Sequence, residues 1–323
     1  MRNLEQMATA LRESGVFANK TLIDRVRGSF GGAFDGCGIR NGDDAAAIPD
    51  GDGWLLLAAE GILPDLVEAD PELAGRCAVL ANVNDIYAMG GRPTAMVDVI
   101  GASGDASLTG LCKGMRDNAL RFNVPIVGGH VQQAEASSAA LAILGRAGTL
   151  ITSFDAKPGD ALVLATNLDG FWLERDNYWN CTLPKHDGVL VRNLELVPKA
   201  AELGLVHAGK DVSMAGVAGT TLMLAEGSRV GAIIDVDAVA MPEGHDRAKL
   251  EAWLRAFFSY GFLFAVDPGH LGNVRNLFRS CGLWAEAIGE FTPGTEVVLR
   301  QGSETALLQD WDARPLTGFG GRS

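Results

Sequence analysis

Asn82-Val83-Asn84-Asp85-Ile86-Tyr87-Ala88-Met89-Gly90-Gly91-Arg92-Pro93 (82–93) ends a helix and leads toward a strand. Upstream, Asp70 can cap a helix that has Pro71 at its first position, and Gly90-Gly91 with Pro93 stops the run. Inside this otherwise apolar helix, Asn82 and Asp85 are three apart and share a face, where buried polar groups need partners. A carboxylate close to a helix C-terminus also meets the negative end of the macrodipole, at a cost of ~0.3–1 kcal/mol. Something cationic is expected to offset that cost.

Working outward, Trp54–Ala59, Ala95–Ile100, Val124–Val127 and Ala139–Leu144 read as strands around this helix. The polar Pro-Gly turn in 152–160 leads into a new strand at Ala161–Ala165, so the chain divides into 1–152 and 153–323. The second half alternates likewise. Helices are expected at Leu194–Leu203, near Gly219–Ala225, at Pro242–Arg255 and at Leu271–Cys281, with strands at Ala232–Val236, Phe262–Val266 and Ala285–Phe291. Both halves are mixed α and β, an α/β domain followed by an α+β domain.

The 323 residues suit two domains of ordinary size, and 47% hydrophobic against 21% charged residues is a globular balance. A formal net charge of −13 repels nucleic acid and anionic lipid, which argues against an unassisted duplex binder. An anionic substrate would need local cations or metal ions. The longest stretch without Asp, Glu, Lys or Arg is Val212–Ala225, too short to span a bilayer, and the N-terminus lacks the apolar core of a signal peptide. Five widely spread cysteines (Cys37, Cys77, Cys112, Cys181, Cys281) without a CxxC pair read as reduced, mostly buried thiols of a cytoplasmic protein.

No GxxxxGK[ST], HExxH or GxSxG occurs. The chemistry instead lies in acids beside glycine turns: Asp43 and Asp44 after Gly42, Glu60 at a strand end, Asp85 with Asn82, and Asp211 before a glycine-containing helix start. Gly128-Gly129-His130 comes after another strand. Scattered oxygen donors without thiolates or paired histidines suit Mg²⁺ held together with phosphates. Plainer readings stand beside these: a polar turn at Asp43-Asp44, an N-cap at Asp211, a solvated strand end at Glu60 and a hydrogen-bonding role for His130. The aromatic stretch 171–192, with Trp172, Asn177, Tyr178 and Trp179, reads equally as a stacking surface, a lid or a subunit contact.

In order and spacing, GDDAA (42–46), NVNDIYAMGGRP (82–93), IVGGH (126–130), AKPGD (156–160), DVSMAG (211–216) and SYGFLFAV (259–266) resemble the AIR synthase (PurM-like) superfamily over nearly the whole chain. The resemblance implies a two-domain fold whose N-terminal sheet pairs with that of a second subunit in a dimer barrel, joined to a C-terminal α+β sandwich. It implies ATP and Mg²⁺ as cofactors and a small-molecule acceptor. It matches Asp43, Asp44, Glu60, Asp85 and Asp211 to metal-site positions, with Asn82, Gly128, Gly129 and His130 on the cofactor side. Lys20 is a candidate for the N-terminal lysine of selenophosphate synthetases, which would join Asp85 and Asp211 in catalysis.

The departures bear on the reaction. Thiamine-monophosphate kinases carry aspartates where this chain has Glu60, His130 and Met214, and the nucleophile expected near the start of a selenophosphate synthetase is missing, the first cysteine being Cys37. Two expectations result. One is an ATP- and Mg²⁺-dependent phosphotransferase or ATP-driven synthetase acting on a small metabolite. The other is a non-catalytic nucleotide-binding accessory protein of a partner enzyme.

Overall fold

The computed structural model describes residues 3–30, 40–173 and 177–320. Two compact units form: Asp44–Leu150 with Lys185–Glu202, and a larger one from Met1–Asp43, Ile151–Pro184 and Leu203–Ser323. The junction at Leu150–Ile151 lies near the expected boundary, but the first 43 residues fold with the second half. They carry three helices, α1 (Leu4–Arg12), α2 (Gly15–Lys20) and α3 (Leu22–Phe30). Cys37 lies outside the described residues.

The smaller unit contains β1 (Ala46–Asp50), β2 (Gly53–Gly61), α4 (Pro64–Ala69), α5 (Pro71–Ala88), β3 (Arg92–Ala102), α6 (Asp105–Phe122), β4 (Ile126–Gln133) and β5 (Ser138–Ala147). Its sheet runs β1-β2-β5-β3-β4, antiparallel except for β3 and β4, which are joined in parallel across α6. The expected cap is present: the Asp70 carboxylate accepts from the Leu73 N–H at 3.0 Å, and Pro71 opens α5. From Val79 to Ala88 nearly every α5 residue is buried, because β2, β3 and β5 cover one side of the helix and α6 another.

The helices α7 (Asp187–Leu194) and α8 (Leu196–Glu202) join this unit through ion pairs that no local pattern announces. Arg121 holds Asp187 at 3.0 Å and the Lys185 carbonyl at 2.7 Å, and Arg92 holds Glu195 at 2.8 Å and Glu202 at 2.6 Å. The opposite sheet face is apolar and open: Leu57 pairs with Leu144, and Val97 and Val99 stand in the next rows, all four exposed.

In the larger unit the strands are β6 (Ala161–Thr166), β7 (Phe171–Leu173), β8 (Tyr178–Asn180), β9 (Ala208–Asp211), β10 (Gly231–Asp235), β11 (Phe257–Phe258), β12 (Gly261–Val266), β13 (Trp284–Thr292), β14 (Glu296–Gln301) and β15 (Glu304–Asp310). The main sheet runs β15-β14-β10-β13-β6-β12-β9, and β11-β8-β7 form a small separate one. Helices α9 (Gly216–Ser228), α10 (Leu250–Leu254) and α11 (Leu271–Arg279) complete it. Arg12 of α1 donates to the carbonyls of Leu307 and Leu308 on β15, which ties the N-terminus to this sheet.

Two local expectations change. The helix expected over Pro242–Arg255 shrinks to a short 3₁₀ turn and α10, because Gly244 adopts φ +77° and Asp246 caps a fresh start. Of the four described cysteines, Cys77 and Cys181 are buried while Cys112 is exposed and Cys281 half-buried, so the thiols are less uniformly buried than expected. The aromatic stretch is largely core: Trp179 is fully buried against Trp253, and Trp172 stacks on His245 at 5.9 Å.

Helices α5 and α6 cross at a pair of glycines. A methyl group at Gly114 would overlap the Glu72 carbonyl oxygen, and one at Gly75 the Leu111 carbonyl oxygen. Gly114→Ala is therefore expected to destabilise the protein by about 1–3 kcal/mol despite the better helix propensity of alanine. Urea unfolding of the variant checks this; an unchanged midpoint would show that the helices separate at no cost.

Candidate functional site

In the smaller unit, Asp44 precedes β1 and Asp85 sits in the last turn of α5, and their carboxylate oxygens come within 4.8 Å of each other. Asp85 is buried and Asp44 half-buried. One helical turn before Asp85, the Asn82 amide donates to the Ala78 carbonyl at 2.9 Å, while its Oδ1 is buried with no hydrogen-bond partner. Like charges this close, at the negative end of a buried helix, are an unfavourable arrangement unless a cation sits with them. The donor set is all oxygen, and oxygens within 4.8 Å of each other are near the spacing at which two carboxylates share one hard cation. These residues fit Mg²⁺.

The other acids of this unit behave differently. Glu60 lies on the exposed end of β2, paired with Leu141, and is not grouped with Asp44 and Asp85. Gly128, Gly129 and His130 lie on the open edge strand β4, all exposed. His130 pairs with Val99, whose face of the sheet is opposite to the one α5 covers, so the structure does not bring His130 to Asp85. Gly129 has a packing reason to be glycine: a Cβ there would sit 2.5 Å from the Asp98 carboxylate, whose pKa burial pushes upward.

In the larger unit, Asp43 is nearly inaccessible and its carboxylate is engaged by protein donors. The Ser153 N–H donates to it at 2.9 Å, the Ser153 hydroxyl donates to its other oxygen, and the Lys210 ammonium is 3.9 Å away and 3.2 Å from that hydroxyl. These contacts satisfy the buried carboxylate and hold the turn at residues 40–43. Lys210 and Ser153 escaped notice in the sequence because they are ordinary residues until this long-range pairing is formed.

Asp211, buried at the end of β9, caps no helix. Between it and α9 the backbone makes a tight turn, with Ala215 at φ +90° and Gly216 at φ +63°, and no side chain caps the helix. Lys20, at the end of α2, reaches the Ser213 hydroxyl at 3.3 Å, two residues from Asp211. The structure thus brings Lys20 and the DVSMAG segment together within one unit, where Met214 is half-buried.

These features define a PurM-like two-domain protein with an acid site suited to a divalent cation. The chain belongs to the AIR synthase-related family: residues 42–147 match the AIR synthase related protein N-terminal domain and 157–301 the C-terminal domain. It is 48% identical to an uncharacterized protein of Synechocystis sp., over 90% of this chain and 89% of that one. It is 27% identical to a thiamine-monophosphate kinase of Pyrococcus horikoshii (77% and 84% of the two chains) and 28% identical to a selenide, water dikinase of Aeromonas hydrophila (68% of each). Among solved structures it superposes on T. maritima PurL complexed with ATP with a TM-score of 0.75 at 17% identity, covering 100% of this chain and 53% of that one. The chain spans about half the length of the PurL chains it matches.

Removing Lys210 would leave Asp43 buried without its cation. Lys210→Met is expected to cost about 3 kcal/mol, and Asp43→Asn in the same chain to recover most of it. Chemical denaturation of the two single variants and the double variant checks this; additive losses would mean that the pair is not coupled.

Proposed function

We propose that this protein is an ATP- and Mg²⁺-dependent phosphotransferase acting on a small metabolite. The observation that carries the reading is the approach of Asp44 and Asp85 to within 4.8 Å at the end of a buried helix, with the orphaned Asn82 Oδ1 one turn away. Kinases among the relatives, and ATP in the superposed PurL structure, supply the reaction class and the nucleotide.

In this reading Asp44 and Asp85 hold Mg²⁺, with Asn82 as a neutral oxygen donor. The bound ion supplies charge neutralisation of the nucleotide phosphates. Within the larger unit, Lys20 beside the uncapped start of α9 supplies a fixed cation of the kind suited to a phosphoryl group. Asp43 holds the turn from which Asp44 projects. Transfer of this kind demands positioning and electrostatics more than covalent chemistry, which agrees with a site built of carboxylates and a lysine rather than a Cys-His or Ser-His pair. Met214 favours a second reading, a nucleotide-binding accessory protein without turnover. ADP release from ATP and Mg²⁺ with pooled phosphate acceptors separates the two.

Nucleotide affinity is expected to depend on the metal, because a triphosphate brought to clustered carboxylates is repelled unless a cation bridges them. ATP binding should be lost in excess EDTA, and Asp85→Asn should weaken it at least tenfold while leaving the melting temperature equal or slightly higher, since the helix-end penalty disappears. Calorimetry with and without EDTA checks both; undiminished affinity in EDTA refutes the reading.

The protein is further proposed to be a homodimer. Leu57, Val97, Val99 and Leu144 form an exposed apolar face beside an open edge strand, and a second copy of the same sheet covers both. Sedimentation at micromolar concentration is expected to give twice 34.0 kDa. Val99→Lys should yield the monomer, and a wild-type monomer would contradict the assembly.

A further inference from the structure

The segment Leu316–Gly320 wraps the buried end of α9. The N–H groups of Leu316, Thr317 and Gly318 all donate to the Glu226 carboxylate, at 3.0, 3.0 and 2.7 Å, and Glu226 is fully buried. Three backbone donors on one carboxylate fix both partners: the acid gains the hydrogen bonds that its burial requires, and the segment gains a single conformation. Gly318, at φ +80°, leaves no room for a side chain beside Asp24 of α3, and a Cβ on Gly320 would meet Glu226.

What this anchored segment carries is Phe319. Its half-buried ring lies under Gly42, where an added Cβ would be 2.5 Å from the ring, and Gly42 itself adopts φ +109°. The Phe319 carbonyl accepts from Arg40 at 2.8 Å, and the Arg40 guanidinium also lies 4.5 Å over the Phe154 ring, next to the Ser153 that holds Asp43. Arg27 of α3 stands 5.9 Å from the Phe319 ring. Burial and the nearby Arg229 lower the Arg40 pKa. The contacts of Phe319 therefore converge on residues 40–43, immediately before Asp44.

We propose that Leu316–Gly320 is a positioning strap: Glu226 anchors it, and Phe319 sets the conformation of the Gly42-Asp43-Asp44 turn for binding of the Mg²⁺–nucleotide. The proposal deepens the functional reading above and rests on it for the ligand alone. Phe319 and Glu226 touch no ligand in this scheme; they act through the backbone of Gly42. Their effect is that of an outer partner to a metal-binding acid, for which losses of about 10–100-fold in affinity are usual.

The test uses the full chain with three variants, Phe319→Ala, Phe319→Leu and Glu226→Gln. Hydrogen exchange over peptides covering 40–46 reports the order of the turn, and calorimetry with Mg²⁺ and a non-hydrolysable ATP analogue reports binding. Phe319→Ala is expected to speed exchange in 40–46 and to weaken binding by about tenfold, with the melting temperature little changed because the ring is half-buried. Phe319→Leu, which refills the space, should restore both. Glu226→Gln, which turns an amide N–H₂ toward backbone donors, should reproduce the alanine phenotype from the other end of the strap. Unchanged exchange in 40–46 for Phe319→Ala overturns the proposal, as does faster exchange with undiminished affinity. If the wild-type protein binds no nucleotide, the functional reading fails, and exchange over 40–46 alone decides whether the strap orders the turn.

Discussion

Two carboxylates held within 4.8 Å of each other, one of them at the negative end of a buried helix, are the constraint around which the smaller unit is organised. The electrostatics are unfavourable in isolation, and the fold goes to some length to maintain them. α5 is covered on one side by the sheet and on another by α6, with glycines at the crossing that allow close approach. Asp85 thus cannot turn away into solvent. A protein that needed α5 only for packing would do better with an apolar residue there, so the cost points to a ligand that offsets it.

The larger unit supplies a complementary kind of order. Asp43 is neutralised by Lys210 and bonded by Ser153, Glu226 is satisfied by three backbone donors, and Lys20 is held at the Ser213 hydroxyl. Each is a polar group placed by partners distant in sequence. Residues 40–43 collect most of this support, from Ser153, Lys210, Phe154 and Phe319 together. The two adjacent aspartates are placed differently: Asp43 is bonded by Ser153 beside Lys210, and Asp44 lies within 4.8 Å of Asp85.

The parts of this account that were legible in the sequence are those written in local chemistry. Asp70-Pro71 and Gly90-Gly91 bracket α5 because capping and chain termination are short-range effects, and Asp85 stands out because a charge inside an apolar helix needs a reason. The alternation of strands and helices gave the mixed two-domain class. The assignment of 1–43 and 185–202 was hidden, since it depends on Arg12 reaching β15 and on Arg92 and Arg121 reaching α7 and α8. Likewise the sequence did not show that strand register puts His130 on the opposite face of the sheet from α5. Glu226 and Phe319 carried no signal at all, because a glutamate in a helix and a phenylalanine between glycines become a strap only through long-range backbone contacts.

The central claim is the proposal that Asp44 and Asp85 hold a divalent cation together with nucleotide phosphates. Anomalous diffraction from crystals grown with Mn²⁺ and a non-hydrolysable ATP analogue tests it most directly. The account predicts a manganese peak bonded to carboxylate oxygens of Asp44 and Asp85, with phosphate oxygens among its other ligands. Nucleotide density with no manganese at these aspartates, or manganese bound only elsewhere, would contradict it.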